Sequence, residues 1–185
     1  MKPFEIFCTC PPGLEPFLEA EALEKGFTGA EAVPGGVRFA GLWPNVMRAN
    51  LHLRGATRVL ARIARHEIHN LSQLERIARA IDWQQVFRSD VPLRIDASCK
   101  RSKINHAGAA KGRLERALAA SLGAPITADG LVTLMLRIEN NKAVFSVDTS
   151  GAPLHLRGTK QAVGKAPMRE TMAALLLRAA GYDGR

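Results

Sequence analysis

The segment from Pro92 to Leu122 constrains the fold more than any other. Leu93, Ile95, Ala97 and Cys99 alternate with Arg94, Asp96, Ser98 and Lys100. A period of two predicts a strand with one buried face. The strand runs into a basic, polar loop, Lys100-Arg101-Ser102-Lys103-Ile104-Asn105-His106. The loop opens a helix with Ala107, Ala110, Leu114, Ala117 and Leu118 at helical spacing on one face. Lys111, Arg113 and Arg116 lie near its start or on its other sides. Cations, hydroxyls and amides gathered at a helix N-terminus can hold a phosphate, because free N–H groups and the helix dipole favour an anion there. The competing reading is a solvated connection before a surface helix.

The flanking segments supply the rest of an α/β (α+β) chain. Residues 4–10 read as a strand that Pro11-Pro12-Gly13 ends. Leu14 to Lys25 is helical, with Leu14, Phe17, Leu18 and Ala22 on one side, Glu15, Glu19, Glu21 and Glu24 exposed, and Gly26 as the cap. Short strands follow near Ala30–Val33 and Gly36–Phe39, then a helix over Asn45–Leu51 with Pro44 in its first turn. The alternation from Thr57 to Arg65 predicts another strand. The order β-α-β-β-α-β over residues 1–66 is that of a ferredoxin-like unit. A helix over Leu71–Ala80 follows, with Trp83 and Phe87 packed beneath it. After the central unit, Leu131–Glu139 and Ala143–Thr149 form a hairpin through Asn140-Asn141-Lys142. Leu154–Arg157 reads as one more short strand. A last helix starts at Pro167, with Met168, Met172, Leu175, Leu176 and Ala179 on one face, and ends at Gly181. A wide apolar face just before the end of the chain suggests a fragment of something longer.

Net charge is +9, from 26 Lys and Arg against 17 Asp and Glu, which favours polyanionic partners: nucleic acid or an acidic membrane surface. Aromatic residues are only 5% of the chain, so base stacking is not expected to dominate. No apolar run reaches membrane-spanning length and no secretory leader is evident, which points to the cytoplasm. Cys8, Cys10 and Cys99 make neither a disulfide framework nor a zinc site, and no metal is expected. Gly158–Ala166 imitates a phosphate-binding P-loop but has one residue too many between its glycines and Ala166 where a hydroxyl is needed. His66-Glu67-Ile68-His69 is one residue short of a zinc-protease helix. Asp96 and Asp148 fall in strands among apolar neighbours and are not paired in a cleft. No catalytic constellation emerges from these residues.

The segment order resembles a known family. Residues 67–157, with the helix from Leu71, the strand 93–99, the run Ser98–His106, the helix after it and the hairpin ending in Ser146–Gly151, are similar to a THUMP RNA-binding domain. Residues 1–66 resemble the ferredoxin-like domain that precedes THUMP in such enzymes. Leu154-His155-Leu156-Arg157-Gly158, leading to Ala166-Pro167-Met168-Arg169-Glu170, resembles the entry into the methyltransferase domain of bacterial THUMP-containing RNA guanine-N2 methyltransferases, with Met168 where Leu or Ile is usual. The resemblance implies three segments: 1–66 ferredoxin-like, 67–157 THUMP, and 158–185 a linker and first helix before an absent methyltransferase domain.

It further implies a non-catalytic, RNA-positioning half of an S-adenosyl-L-methionine-dependent enzyme. Structured RNA is the expected partner, rRNA ahead of tRNA, with the cofactor bound by the parent enzyme and not by this stretch. The expected RNA contacts are Lys100, Arg101, Ser102, Lys103, Asn105, His106, Lys111 and Arg113, continued by Arg157, Lys160 and Lys165. Arg169 and Glu170 are candidates for shaping the cofactor site. Two alternatives stay open: a standalone THUMP adaptor, and the THUMP part of a different tRNA-modifying enzyme.

Overall fold

The computed structural model describes residues 2–157 and 164–182. Contacts divide the chain into one unit of Met1–Ala61 with Ala152–Arg185 and a second of Arg62–Gly151. The division falls inside a strand and just after a hairpin, where the sequence pattern put boundaries at 66 and 157.

The first unit is built from β1 (Phe4–Thr9), α1 (Glu15–Glu24), β2 (Glu31–Val33), β3 (Gly36–Gly41), α2 (Trp43–His52) and the opening of β4 (Arg58–Glu67). Its strands run in the order β2-β3-β1-β4, with β1 and β2 both antiparallel to β3. Ile6, Cys8, Val37 and Phe39 from the sheet meet Leu18, Ala22, Val46 and Ala49 from the helices, and Leu53 just after α2, in one core. The β-α-β-β-α-β order expected for residues 1–66 is present.

Glu21 departs from its expected exposure: it is only 4% exposed. Its carboxylate accepts the backbone N–H groups of Arg54 (2.7 Å) and Gly55 (2.9 Å), donors that the turn after α2 leaves without a ladder partner. Glu19 likewise accepts from Ala32 N (3.1 Å), and Glu15 from Gly35 N (2.9 Å). The acidic side of α1 therefore holds two turns of this unit and its short strand β2.

Two expectations near the end of the chain are corrected. Leu154–Leu156 is a short 3-10 helix, not a strand. Leu154 is buried and donates its N–H to Thr57 O (2.8 Å), while Leu156 is exposed, so the stretch makes one anchor and no ladder. The last helix, α5, spans Glu170–Ala179, three residues later than Pro167. Its buried residues are Thr171 and Leu175, whereas Met168 and Leu176 of the expected face are exposed. Leu175 selects the face: Gly55 lacks a side chain, and a Cβ there would collide with the Leu175 methyl. Arg178 ties the same helix to Glu24 at 2.8 Å.

The second unit contains the rest of β4, then α3 (Leu71–Ala80), a 3-10 turn at Trp83–Gln85, β5 (Leu93–Lys100), α4 (Ala107–Ser121), β6 (Val132–Glu139) and β7 (Lys142–Asp148). The order is β4-β7-β6-β5, with β5 and β6 parallel and α4 as their crossover. The β6–β7 hairpin turns through Asn140 (φ 50°) and Asn141 (φ 62°), the left-handed pair that a two-residue hairpin requires. The apolar face is buried through Leu93 and Ile95 of β5, Leu134, Leu136 and Ile138 of β6, and Ala143, Phe145 and Val147 of β7, whereas Ala97 and Cys99 are half-buried and Thr133, Ser146 and Asp148 are buried on the other face. Trp83 lies under α3 as expected, donating its indole N–H to Ala78 O (2.7 Å) and packing on Phe87 and Phe145.

Candidate nucleic-acid interface

The basic loop after β5 is a fixed object rather than a slack connection. Arg101 adopts φ 48°, a conformation that needs support in a non-glycine residue. Ser102 supplies it: its hydroxyl donates to Lys100 O (2.8 Å) and accepts the N–H of Asn141 (3.0 Å). The Asn141 carboxamide oxygen accepts from Lys103 N (2.8 Å), and Asn140 N donates to Lys100 O (3.3 Å). Asn141 O accepts from Ile68 N at 2.7 Å, so the hairpin turn itself is pinned to the end of β4. Ile104, 5% exposed, plants the middle of the loop in the core. The heads of Lys100, Arg101, Lys103, Asn105 and His106 are left outside.

His106 caps α4. Its Nδ1 accepts the backbone N–H of Ala109 (3.0 Å). In the neutral ring this leaves the proton on Nε2, where it can donate outward. Asn70 caps α3 in the same way, accepting from Gln73 N at 2.8 Å. The two helix starts line a shallow groove of about 320 Å³ with His69, Lys103, Ile104 and Asn105.

Charge around the loop is organised by Glu139. Its carboxylate holds Arg101 (2.9 Å) and Arg137 (2.7 Å) together. The hydrogen bond from Arg137 first, with Arg101 adding to it, keeps this carboxyl below the usual carboxylate range. On α4, Arg113 is paired with Glu75 on α3 at 2.8 Å, and Glu75 also holds Arg79 at 2.7 Å. Arg113 therefore joins two helices. Lys111 is half-buried and lies 3.9 Å from Glu115.

The other sequence-derived site residues belong to the first unit. Arg157 donates to the carbonyls of Asn50 (2.7 Å) and Leu53 (2.8 Å), which are acceptors at the end of α2. Burial lowers the pKa of its guanidinium from the ordinary arginine value. Lys165 and Arg169 are exposed, and Glu170 is half-buried in the first turn of α5. Lys160 and most of the Gly158–Ala166 segment lie outside the described residues.

Among the described residues no group of His, Cys, Asp and Glu could hold a metal, and no helix is long and apolar enough to cross a membrane. The cysteines are not poised for chemistry: burial pushes the Cys10 thiol up to about 12 and Cys8 higher still. Asn141, Glu139, Arg137 and Lys142 are the neighbours that sequence reading missed. Their signal was the hairpin turn, but its place beside the loop follows only from β5 pairing with β6.

Comparison with known proteins agrees with this architecture. Residues 5–60 match the RlmL ferredoxin-like domain. Over 97% of its length the chain is 31% identical to the ribosomal RNA large subunit methyltransferase K/L of Syntrophotalea carbinolica, covering 26% of that protein. The chain thus spans about a quarter of the length of the curated relatives of this kind. A crystal structure described as a predicted N6-adenine-specific DNA methylase from Listeria monocytogenes superposes with TM-score 0.86 at 28% identity, over 96% of this chain and 48% of that one. TrmN from Thermus thermophilus superposes with TM-score 0.80 at 25% identity, over 96% and 55%.

Proposed function

We propose that this relative of the ribosomal RNA large subunit methyltransferases K/L is the RNA-binding, substrate-positioning part of an S-adenosylmethionine-dependent RNA methyltransferase. In this reading the second unit acts as a THUMP domain, the first as its ferredoxin-like companion, and α5 leads toward a catalytic domain in the parent protein, in the cytoplasm. The observation that carries the reading is the loop 100–106: its backbone is locked at Ser102 and Asn141 while its cations and amide stay exposed. A rigid loop spends little ordering entropy on binding, and cations on a fixed frame suit the regular phosphates of A-form RNA. Such contacts position the substrate and carry little sequence information.

Lys100, Arg101, Lys103, Asn105 and His106 are the proposed direct contacts, with Lys111 at the margin of the patch. Ser102 works from inside the loop, holding it in shape. Arg113 supports the surface from within, bracing α4 against α3 through Glu75, while Arg157 serves the carbonyls at the end of α2 in the first unit. Lys160 and Lys165 are proposed to carry positive charge onward toward the catalytic domain. Large-subunit rRNA is the substrate favoured by the relatives' names. S-adenosylmethionine supplies the methyl group in the parent.

Fluorescence anisotropy with labelled rRNA stem-loops, tRNA and duplex DNA tests the reading. The expected result is tighter binding of RNA than of DNA, with log K falling linearly in log salt. Changing Lys100, Arg101 and Lys103 together to Ala should flatten that line by about two units, at roughly 0.7–0.9 per phosphate contact. Equal affinity for RNA and duplex DNA, or a triple variant that titrates like the parent, would sink the assignment.

A further inference from the structure

Strand register groups charges that lie far apart in the chain. Lys100, Glu139 and Lys142 are partners across β5, β6 and β7, and the next row on the same face is Ser98, Arg137 and Val144. The intervening rows, Cys99-Ile138-Ala143 and Ala97-Leu136-Phe145, form the apolar side, where Ile138, Ala143 and Phe145 are fully buried. Side chains alternate across a sheet, so Lys100, Arg137 and Lys142 project from the face opposite the core. All three are exposed. Strand spacing puts Lys100 and Lys142 about 10 Å apart, with Arg137 set back by about 7 Å along the middle strand. Arg101 reaches the same face, because it shares the Glu139 carboxylate with Arg137.

We infer that Arg137 and Lys142 extend the contact surface from loop 100–106 onto this sheet face, where Lys100, Arg101, Arg137 and Lys142 hold the sugar–phosphate backbone of a structured RNA. The inference rests on the RNA-binding reading of the loop. Arg101 and Arg137 hold the Glu139 carboxylate while Lys100 and Lys142 flank it in register, so these four cations and one carboxylate leave the strip with a net positive charge. That carboxylate fixes both arginine forks, which leaves planar donors in place for phosphate oxygens. No aromatic side chain belongs to the strip, so it grips by charge and shape and not by stacking. The strip also continues the loop without a break: Lys142 follows Asn141, the residue that locks Lys103.

The test is anisotropy of the 185-residue chain with a labelled A-form RNA stem-loop across a potassium chloride series. Three variants run beside the parent: R137A/K142A, the loop triple K100A/R101A/K103A, and R76A/R88A, which removes two exposed cations elsewhere in the same unit. Melting curves establish that each is folded. The expected result is that R137A/K142A weakens binding about tenfold near physiological salt and flattens the salt dependence by about 1.5, while R76A/R88A stays close to the parent. If R137A/K142A matches the parent while the loop triple is weakened, the strip is overturned and the loop reading stands. Equal loss in R137A/K142A and R76A/R88A makes the effect one of bulk charge and also overturns the strip. If neither R137A/K142A nor the loop triple changes binding, the loop reading fails and the strip fails with it.

Discussion

His106 carries two jobs on one ring. Nδ1 closes the first turn of α4, and Nε2 is the atom left for a ligand. Replacing His106 with Ala should cost about 1 kcal/mol of stability from the lost cap, and Asn should restore most of it. Urea unfolding of the two variants checks this; equal loss in both would mean that the cap contributes nothing. Arg157 shows the opposite balance. Its guanidinium serves two backbone carbonyls, so Arg157→Ala should lower stability by about 1.5–3 kcal/mol and leave the salt slope of RNA binding nearly unchanged. A variant with parent stability and a flatter salt slope would instead make Arg157 a phosphate contact. Such roles were not legible in the sequence. Arg157 meets Asn50 and Leu53 more than a hundred positions away, and Glu21 meets Arg54 and Gly55 more than thirty away. Periodicity gives the face on which a long polar side chain starts, not the backbone group at which it ends.

At the scale of elements, the loop and the hairpin turn form one device. Asn141 must be left-handed to turn the hairpin and must also offer its carboxamide to Lys103 N. Asn141→Gly separates these jobs, since glycine keeps the φ but lacks the acceptor. The expected outcome is RNA affinity weakened several-fold with an unchanged salt slope, because the charges remain and only their frame loosens. An unchanged affinity would show that the lock is irrelevant to binding. A second device seats α5. Gly55→Ala would drive a Cβ into Leu175, an overpacking expected to cost about 1–3 kcal/mol by thermal or urea unfolding. Elements with strong local signals were legible: β5 from its alternation, α4 from its apolar face, and the hairpin from its paired asparagines. The Leu154–Leu156 turn and the late start of α5 were not. Their conformations follow from Thr57 O and Gly55, which belong to a distant part of the chain.

For the whole molecule, charge is the controlling quantity. The chain carries an excess of nine cations, and many of its carboxylates are engaged rather than idle. Glu75 beside Arg113, Asp90 beside Arg88, Glu24 beside Arg178, Glu139 beside Arg137 and Glu15 on the Gly35 N–H are all held below the ordinary carboxylate range. A carboxyl whose folded pKa lies below its unfolded value binds protons more readily when unfolded. Its stabilisation is complete above the unfolded value, about 4, and is lost as pH falls through the lower folded one. Each of these groups is near the surface, so each contributes modestly. They act in the same direction, however, and every proton taken up adds to a positive charge that already repels itself. The melting temperature should therefore be nearly level from pH 8 to about pH 5 and should fall progressively below about pH 4.5. Glu75→Gln, which removes the tie between α3 and α4, should melt lower at neutral pH and lose less on acidification than the parent. A parent melting temperature that holds level to pH 3 would mean that these ion pairs contribute no net stability to the fold.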